Sequence, residues 1–393
     1  ERMEKRLALH ADSPAAAAAL LERYAQGESP PGVVVEDALP ASGGVAFIYS
    51  GNGAQWAGMG RALLAESPRF AEILADMAKA MDAATGFSLL AELDAADPVR
   101  LEDTSVAQPL LFALQVGVTT LLRELGVHPV AVAGHSVGEI AAAWAAGALD
   151  LAQAIRVICA RSQAQATTRG SGRMAAVGLS ASAIDEVMRE LGEDLDVELA
   201  GINSPGNVTL AGSLPGLLRV QERVERRGAF FRLLDLDYAF HSRRMDSTAA
   251  NLLARLAGFR PAATRAALFV STVSGEVQDA GTLGAGYWWR NVREPVRFAD
   301  AIGKLAELGC RVFVEIGPHA ILQRYIGESL RAAGIRGRVL PSLRRTDDGV
   351  DAIGETALRA HLLLEPAQLQ ACFPHPAQRV RLPNYPWQRE RHW

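Results

Sequence analysis

The chain has only three cysteines in 393 residues, Cys159, Cys310 and Cys372. They are scattered, odd in number and without metal-ligand spacing, which argues against a disulfide framework or a zinc site and for buried free thiols in a reducing cytosol. Positive charge is not in excess: 40 Lys and Arg stand against 44 Asp and Glu, a net charge of −4. The basic face that general nucleic-acid binding needs is therefore missing. No apolar run reads as long enough to span a bilayer, and the opening "ERMEKRLALH" lacks a signal-peptide core. Phosphate-cradle motifs are lacking too, because "SGNGAQW" at 50–56 contains neither G-x-G-x-x-G nor a Walker lysine. These absences predict a soluble, cytoplasmic protein with no nucleic-acid and no membrane partner.

What is present is apolar residue, 49 % of the total, over a length that holds two or three domains. Short β-branched runs, "PVAVAG" (129–134), "ALFVST" (267–272) and "RVFVEIG" (311–317), read as buried parallel strands. They alternate with helical stretches such as "PLLFALQVGVTTLLRELG" and "VGEIAAAWAAGAL". The pattern predicts an α/β fold with a parallel sheet. Residues 173–241 follow another rhythm: "RMAAVGL", a Ser-capped helix, "VELAGINS", "NVTLAGS", a second helix and a strand in "AFFRLLDLDYAF". That order, βαββαβ, is the ferredoxin-like split motif, inserted into a larger core formed by 44–172 and 242–345. Residues 1–43 stand apart, with a helix over "SPAAAAALLERYAQG" capped by Ser13, opened by Pro14 and stopped by Gly27. The tail, 346–393, is rich in Pro and Arg, and its aromatics suggest a segment packed along another surface.

The chemistry centres on "GHSVGE" at 134–139, which fits the nucleophile-elbow pattern G-x-S-x-G. Its glycines permit a sharp strand-to-helix turn that exposes Ser136, and the helix N-terminus offers an N–H to a developing oxyanion. Taken alone, the pattern also fits an ordinary helix-capping serine. A base is available in His241, in "DYAFHSRRMD", where the insert returns to the core. His135 adjoins the serine, and its ring is expected to support the elbow; the other histidines read as surface residues. Arg161 falls where a second helix after the elbow would return toward the pocket, and its planar fork suits a carboxylate. The loop "SGNGAQW" can supply a second oxyanion donor, the N–H of Asn52 facing that of Val137.

The ordered motifs "FIYSGNGAQWAGMG", "GHSVGE", "ARSQAQ", "YAFHS", "YWWRNVREPVRF" and "FVEIGPHAIL" resemble the acyltransferase domains of modular type I polyketide synthases, relatives of the malonyl-CoA:acyl carrier protein transacylases. The resemblance covers residues 44–345. Residues 1–43 resemble part of the linker from a ketosynthase, and the ending "LPNYPWQRERHW" resembles a post-acyltransferase linker. It implies a hydrolase-like core and an acyl-Ser136 intermediate charged from an acyl-CoA. It also implies transfer to the phosphopantetheine thiol of an acyl carrier protein, with neighbouring ketosynthase and other synthase domains as partners and no bound cofactor or metal. His241 would be the base, Arg161 the holder of the acyl unit's free carboxylate, and the amides of Asn52 and Val137 the oxyanion hole. Asn291 matches the position whose carbonyl orients the histidine, which gives a Ser–His dyad with a neutral orienter. Gln55 matches a position lining the site.

Two departures stand out. The family usually has Gln where this chain has Asn52, a change that a backbone donor tolerates. Malonyl users typically read His-Ala-Phe-His and methylmalonyl users Tyr-Ala-Ser-His, whereas this chain reads Tyr238-Ala239-Phe240-His241. Phe240 should crowd a C2 methyl, and Val137 is commoner among malonyl users; Tyr238 and "RSQ" at 161–163 lean toward methylmalonyl. Malonyl-CoA is the favoured substrate, with methylmalonyl or relaxed selectivity as the alternative. A serine hydrolase or thioesterase is the competing class; it would want an acid between Ser and His in chain order and has no need of Arg161. A chemically inert scaffold is the third reading, weakened by Ser136, His241 and Arg161 all being present.

Overall fold

The structure is a computed structural model, and it describes residues 4–39, 43–192, 194–261 and 266–364. The tail motif "LPNYPWQRERHW" and Cys372 lie outside the described residues. Near the N-terminus β1 (Lys5–Leu9) and β2 (Val33–Asp37) pair antiparallel around the helix Pro14–Ala25. Ser13 caps that helix by accepting from the Ala16 N–H, with Pro14 in its first turn. The two strands lie against the helix Val350–Leu363. Arg6 donates to the Leu362 and Leu364 carbonyls, and Arg359 pairs with the buried Glu36 at 2.6 Å. The stretch expected as tail from 346 therefore begins as a helix with Ile353, Ala357 and Ala360 in the core.

The apolar runs become strands sealed on both faces. All five residues of β3 (Val45–Tyr49) are buried, and β4 (Pro129–Gly134) lies parallel beside it with Gly134 opposite Tyr49. The chain then passes through two helices, Gly138–Ala145 and Leu151–Ala166. Next come β5 (Arg173–Val177), helix Ala181–Leu191, β6 (Val197–Ser204), β7 (Asn207–Gly212), helix Leu214–Arg226 and β8 (Phe231–Leu233). It returns as β9 (Leu268–Val270) and β10 (Val277–Gln278), and ends with β11 (Val296–Arg297), β12 (Val312–Ile316) and β13 (Arg338–Pro341).

The main sheet runs β10-β9-β4-β3-β12-β13, and β10 alone is antiparallel to its neighbour. This is an α/β fold with a hydrolase-like parallel core. The second sheet runs β11-β6-β7-β5-β8, of which β6-β7-β5-β8 with its two helices is the ferredoxin-like insert. The extra edge strand β11 pairs parallel with β6 and ties the insert to the core helix Ala285–Arg293 that precedes it.

Three local expectations need correction. The strand expected through "AFFRLLDLDYAF" stops at Leu233, because the chain leaves the sheet to carry Tyr238–His241 into the junction between insert and core. The helix expected from Pro109 starts five residues earlier at Thr104, where Asp103 caps it by accepting from Ser105 N–H. That longer helix, Thr104–Glu124, is also long and apolar enough to cross a membrane, contrary to the sequence expectation, but most of it is buried inside the fold. Cys159 and Cys310 are free and buried, and burial pushes their thiols up to about 12 and about 11.

The turn after β4 is sterically closed to side chains. A Cβ on Gly138 would lie 2.3 Å from the Tyr49 carbonyl oxygen, and one on Gly134 would lie 2.2 Å from the Glu139 nitrogen. Gly138→Ala is expected to cost about 2–4 kcal/mol, read as a lower urea midpoint with an unchanged m-value.

Candidate active site

The site assembles at the carboxyl ends of β3, β4 and β12, where loops of a parallel sheet converge. Ser136 takes a left-handed backbone, φ 54°, between β4 and the helix Gly138–Ala145. Holding a non-glycine residue there costs roughly 1–3 kcal/mol, and such strain persists only where the surroundings over-determine it. His241 is left-handed as well, φ 58°. The two strained residues face each other, Ser136 Oγ lying 2.7 Å from His241 Nε2.

The other ring nitrogen fixes the tautomer. His241 Nδ1 lies 2.8 Å from the Glu294 carbonyl oxygen, which can only accept, so Nδ1 carries the proton and Nε2 is free to take one from Ser136. Asn291, expected to orient this ring, is hydrogen-bonded elsewhere through its side chain. Its Oδ1 accepts from Arg161 Nε at 3.1 Å, and its Nδ2 donates to the Ser136 carbonyl (3.2 Å) and to Glu139 Oε2 (2.9 Å). The reason is local: Glu294 lies just past the end of the helix Ala285–Arg293, where its carbonyl has no intrahelical donor, while Asn291 sits inside the last turn.

Arg161 projects from the helix Leu151–Ala166 and is fully buried. Nη2 donates to Ser136 Oγ at 2.9 Å, and Nη1 donates to Gln108 Oε1 and Gln165 Oε1, each at 2.8 Å. With Asn291, every partner is neutral, and no carboxylate pairs with Arg161 among the described residues. Burial draws the guanidinium down to about 9 while Glu139 pulls it up, so it stays charged at neutral pH. Burial, reinforced by Arg161, lowers the His241 ring to about 3, although its bond to Glu294 opposes the shift.

The remaining residues divide between backbone and pocket. Neither the Asn52 nor the Val137 amide N–H finds an acceptor among the described residues. Their loops touch, since a Cβ on Gly51 would lie 2.5 Å from the His135 carbonyl oxygen. Gln55 folds back so that its Oε1 accepts from Gly53 N at 2.8 Å, which tightens the loop. His135 Nε2 bonds to Asn203 Oδ1 of β6 at 2.9 Å and its ring meets the edge of Phe298, linking the elbow to the insert. Tyr238 and Phe240 are buried and stacked, with centroids 4.8 Å apart, and Tyr238 Oη accepts from Thr104 N at 3.4 Å. Sequence reasoning missed Gln108, Gln165, Glu139 and Glu294. Nothing in the sequence separates Gln108 from Gln115 or Gln165 from Gln163 in the same helices, and Glu294 acts through its backbone.

The profile of the acyl transferase domain family matches residues 46–364, and the chain belongs to that family. Within it the chain is of the modular polyketide synthase kind. It is similar to the acyltransferase domain from module 8 of the salinomycin polyketide synthase, with TM-score 0.86 and 32 % identity, covering 94 % of this chain and 86 % of that one. Erythronolide synthase EryA2 of Saccharopolyspora erythraea is 36 % identical over 397 residues, 100 % of this chain but 11 % of that protein. Polyketide synthase GfsA of Streptomyces halstedii is 36 % identical over 95 % of this chain, which spans 5 % of its length. The malonyl CoA-acyl carrier protein transacylase of Coxiella burnetii, at 24 % identity and TM-score 0.71 over 82 % of this chain and 99 % of that one, shares the fold.

Because its pKa is depressed in the folded protein, the His241 ring should stay neutral across the mildly acidic range. An NMR titration of its ring carbons from pH 8 to about 5 is expected to show no inflection. The unfolded chain, by contrast, protonates this ring near its ordinary value of 6.5. Its contribution to stability is therefore full above that pH and falls as pH drops toward the lowered folded value.

Proposed function

We propose that this acyltransferase domain moves a malonyl unit from malonyl-CoA to the phosphopantetheine thiol of an acyl carrier protein through an acyl-Ser136 intermediate. The observation that carries the reading is Arg161: a fully buried cation with only neutral partners, one of whose nitrogens is bonded to the Ser136 hydroxyl. Removing a guanidinium from water without a counter-ion costs several kcal/mol. A site that retains it suits a ligand bringing its own carboxylate. A hydrolase of neutral esters has no use for that charge.

Ser136 and His241 act as a dyad. Ser136 Oγ attacks the thioester carbonyl while its proton passes to His241 Nε2, and Nδ1–H to the Glu294 carbonyl stabilises the ring as it charges. The oxyanion is received by the amides of Asn52 and Val137. The C–S bond breaks, CoA leaves as the thiol with the proton from Nε2, and the acyl-serine remains. In the second half the carrier thiol gives its proton to Nε2 and attacks the ester, and Ser136 recovers a proton as it departs. Once Ser136 is acylated, its bond to Arg161 Nη2 is released, and the fork can pair with the malonyl carboxylate. Burial of the ester between core and insert would keep water from it.

Selectivity rests on the stacked Tyr238–Phe240 pair, with Phe240 in the space that a C2 methyl would claim. Of the "RSQ" trio, only Arg161 meets Ser136. Gln163 engages the Ala84 carbonyl and Arg255, and Ser162 bonds to the Cys159 carbonyl. The partners follow from this reading: the carrier protein, and ketosynthase and other synthase domains in a longer chain.

Arg161→Ala is expected to lower kcat/KM for malonyl-CoA by about 100-fold while acetyl-CoA changes less than about threefold. Equal losses would remove the carboxylate-holding role. Intact-mass analysis of the protein offered malonyl-, methylmalonyl- and acetyl-CoA together should show the malonyl adduct dominating, and none on Ser136→Ala. Phe240→Ser should shift that competition toward methylmalonyl by about 10–100-fold, the worth of one methyl in a pocket.

A further inference from the structure

Glu139 is a fully buried carboxylate in the first turn of the helix Gly138–Ala145, three residues after Ser136, and the dyad makes no use of it. It is not a triad acid, because the His241 nitrogen that such an acid would hold is taken by the Glu294 carbonyl. Both of its oxygens are nonetheless engaged. Oε1 accepts from the Thr272 N–H and from Thr272 Oγ1 at 2.9 Å; Oε2 accepts from Tyr287 Oη at 2.7 Å and Asn291 Nδ2 at 2.9 Å. The Thr272 N–H and the Asn291 NH2 can only donate, so each carboxylate oxygen faces an obligate donor, as suits an ionised carboxylate, while the Thr272 hydroxyl also lies 3.0 Å from the Gly134 carbonyl and the Tyr287 hydroxyl 2.7 Å from Ser271 Oγ. No Lys, Arg or His pairs with it directly among the described residues.

We propose that Glu139 is a positioning residue for Arg161, holding the guanidinium toward Ser136 through the amide of Asn291 and balancing its charge from one residue away. The inference rests on the carboxylate-holding role of Arg161. Its geometry is a polarity argument. The Asn291 amide lies between two groups that only accept, the Glu139 carboxylate and the Ser136 carbonyl, and one that only donates, Arg161 Nε. Its NH2 must face the acceptors, so its oxygen must face Arg161. A glutamine at 139 would have to turn its NH2 toward either the Thr272 N–H or the Asn291 NH2, setting donor against donor and loosening the amide that meets Arg161 Nε.

The spacing matters as much as the orientation. A carboxylate directly on Arg161 would occupy the fork and compete with the substrate. Placed behind Asn291, the charge of Glu139 stabilises the buried cation and leaves Nη2 for the acyl unit. Burial raises the Glu139 carboxyl above its ordinary value, with its hydrogen bonds opposing the shift, while Glu139 in turn raises Arg161.

The test is a double-mutant cycle of Glu139→Gln and Arg161→Ala, with kcat and KM measured on malonyl-CoA and acetyl-CoA. Glu139→Gln is expected to lower kcat/KM for malonyl-CoA by about tenfold, mainly through KM, and for acetyl-CoA by no more than about threefold. In the Arg161→Ala background it should change the malonyl-to-acetyl ratio by less than about twofold. Equal losses on both substrates would reduce Glu139 to a packing brace and overturn the proposal. So would a selective loss that persists without Arg161. If Arg161→Ala itself is unselective, the underlying reading of Arg161 fails; if it is selective and Glu139→Gln is not, only the relay fails. Should Glu139→Gln not fold, Asn291→Ser cuts the same relay at its middle, and an unchanged malonyl-to-acetyl ratio there is equally fatal.

Discussion

A buried guanidinium with no carboxylate directly on it among the described residues sits beside Ser136, and much of the surrounding architecture serves to hold it there. Arg161 satisfies its donors with the amides of Gln108, Gln165 and Asn291 and the hydroxyl of Ser136. Each of those partners comes from a different element or turn, so the helices Thr104–Glu124, Leu151–Ala166 and Ala285–Arg293 must hold a fixed spacing around the elbow. An amide accepts from the cation without cancelling it, whereas a carboxylate would form a closed ion pair. On the proposed function, that charge is left for the carboxylate of the incoming acyl unit.

The same constraint shapes the base. Burial, reinforced by the neighbouring cation, holds the His241 imidazole neutral, which is what its proposed role as proton acceptor requires. The ring needs no acid behind it because the Glu294 carbonyl fixes its tautomer at no cost in charge. A second buried carboxylate beside His241 would pair with Arg161 or raise the ring's basicity, and either would spoil the division of labour. Insert and core meet here: β11 joins the insert sheet two residues after Glu294, and His135 reaches from the elbow to Asn203 on β6.

Much of this was legible before any coordinates. Short apolar runs announced β4, β9 and β12, and a change of rhythm marked the βαββαβ insert. Ser136, His241 and Arg161 stood out through the glycine turns of the elbow, a histidine at a domain return and an arginine placed where a second helix comes back toward the pocket. The structure brings His241 and Arg161 each within 3 Å of Ser136 Oγ. The readings that failed share a cause. Asn291 was matched to the orienting carbonyl, but a backbone carbonyl has no side-chain signature and the oxygen in question belongs to Glu294. The end of β8 was set too late because "LLDLDYAF" alternates like a strand, although tertiary contacts pull it off the sheet.

The sequence by itself determined the layers of the fold, the order of its elements and the residue types able to carry acyl transfer. Those follow from periodicity, from glycines where no Cβ fits, and from side chains whose burial must be justified. Tertiary structure alone decided which groups meet: that Gln55 braces its own loop, that Glu139 reaches Arg161 only through Asn291, and that Gln163 faces Ala84 and Arg255. Hydrogen-bond polarity and distance between elements far apart in the chain settle such matters, and neither is encoded in the spacing of residues along it.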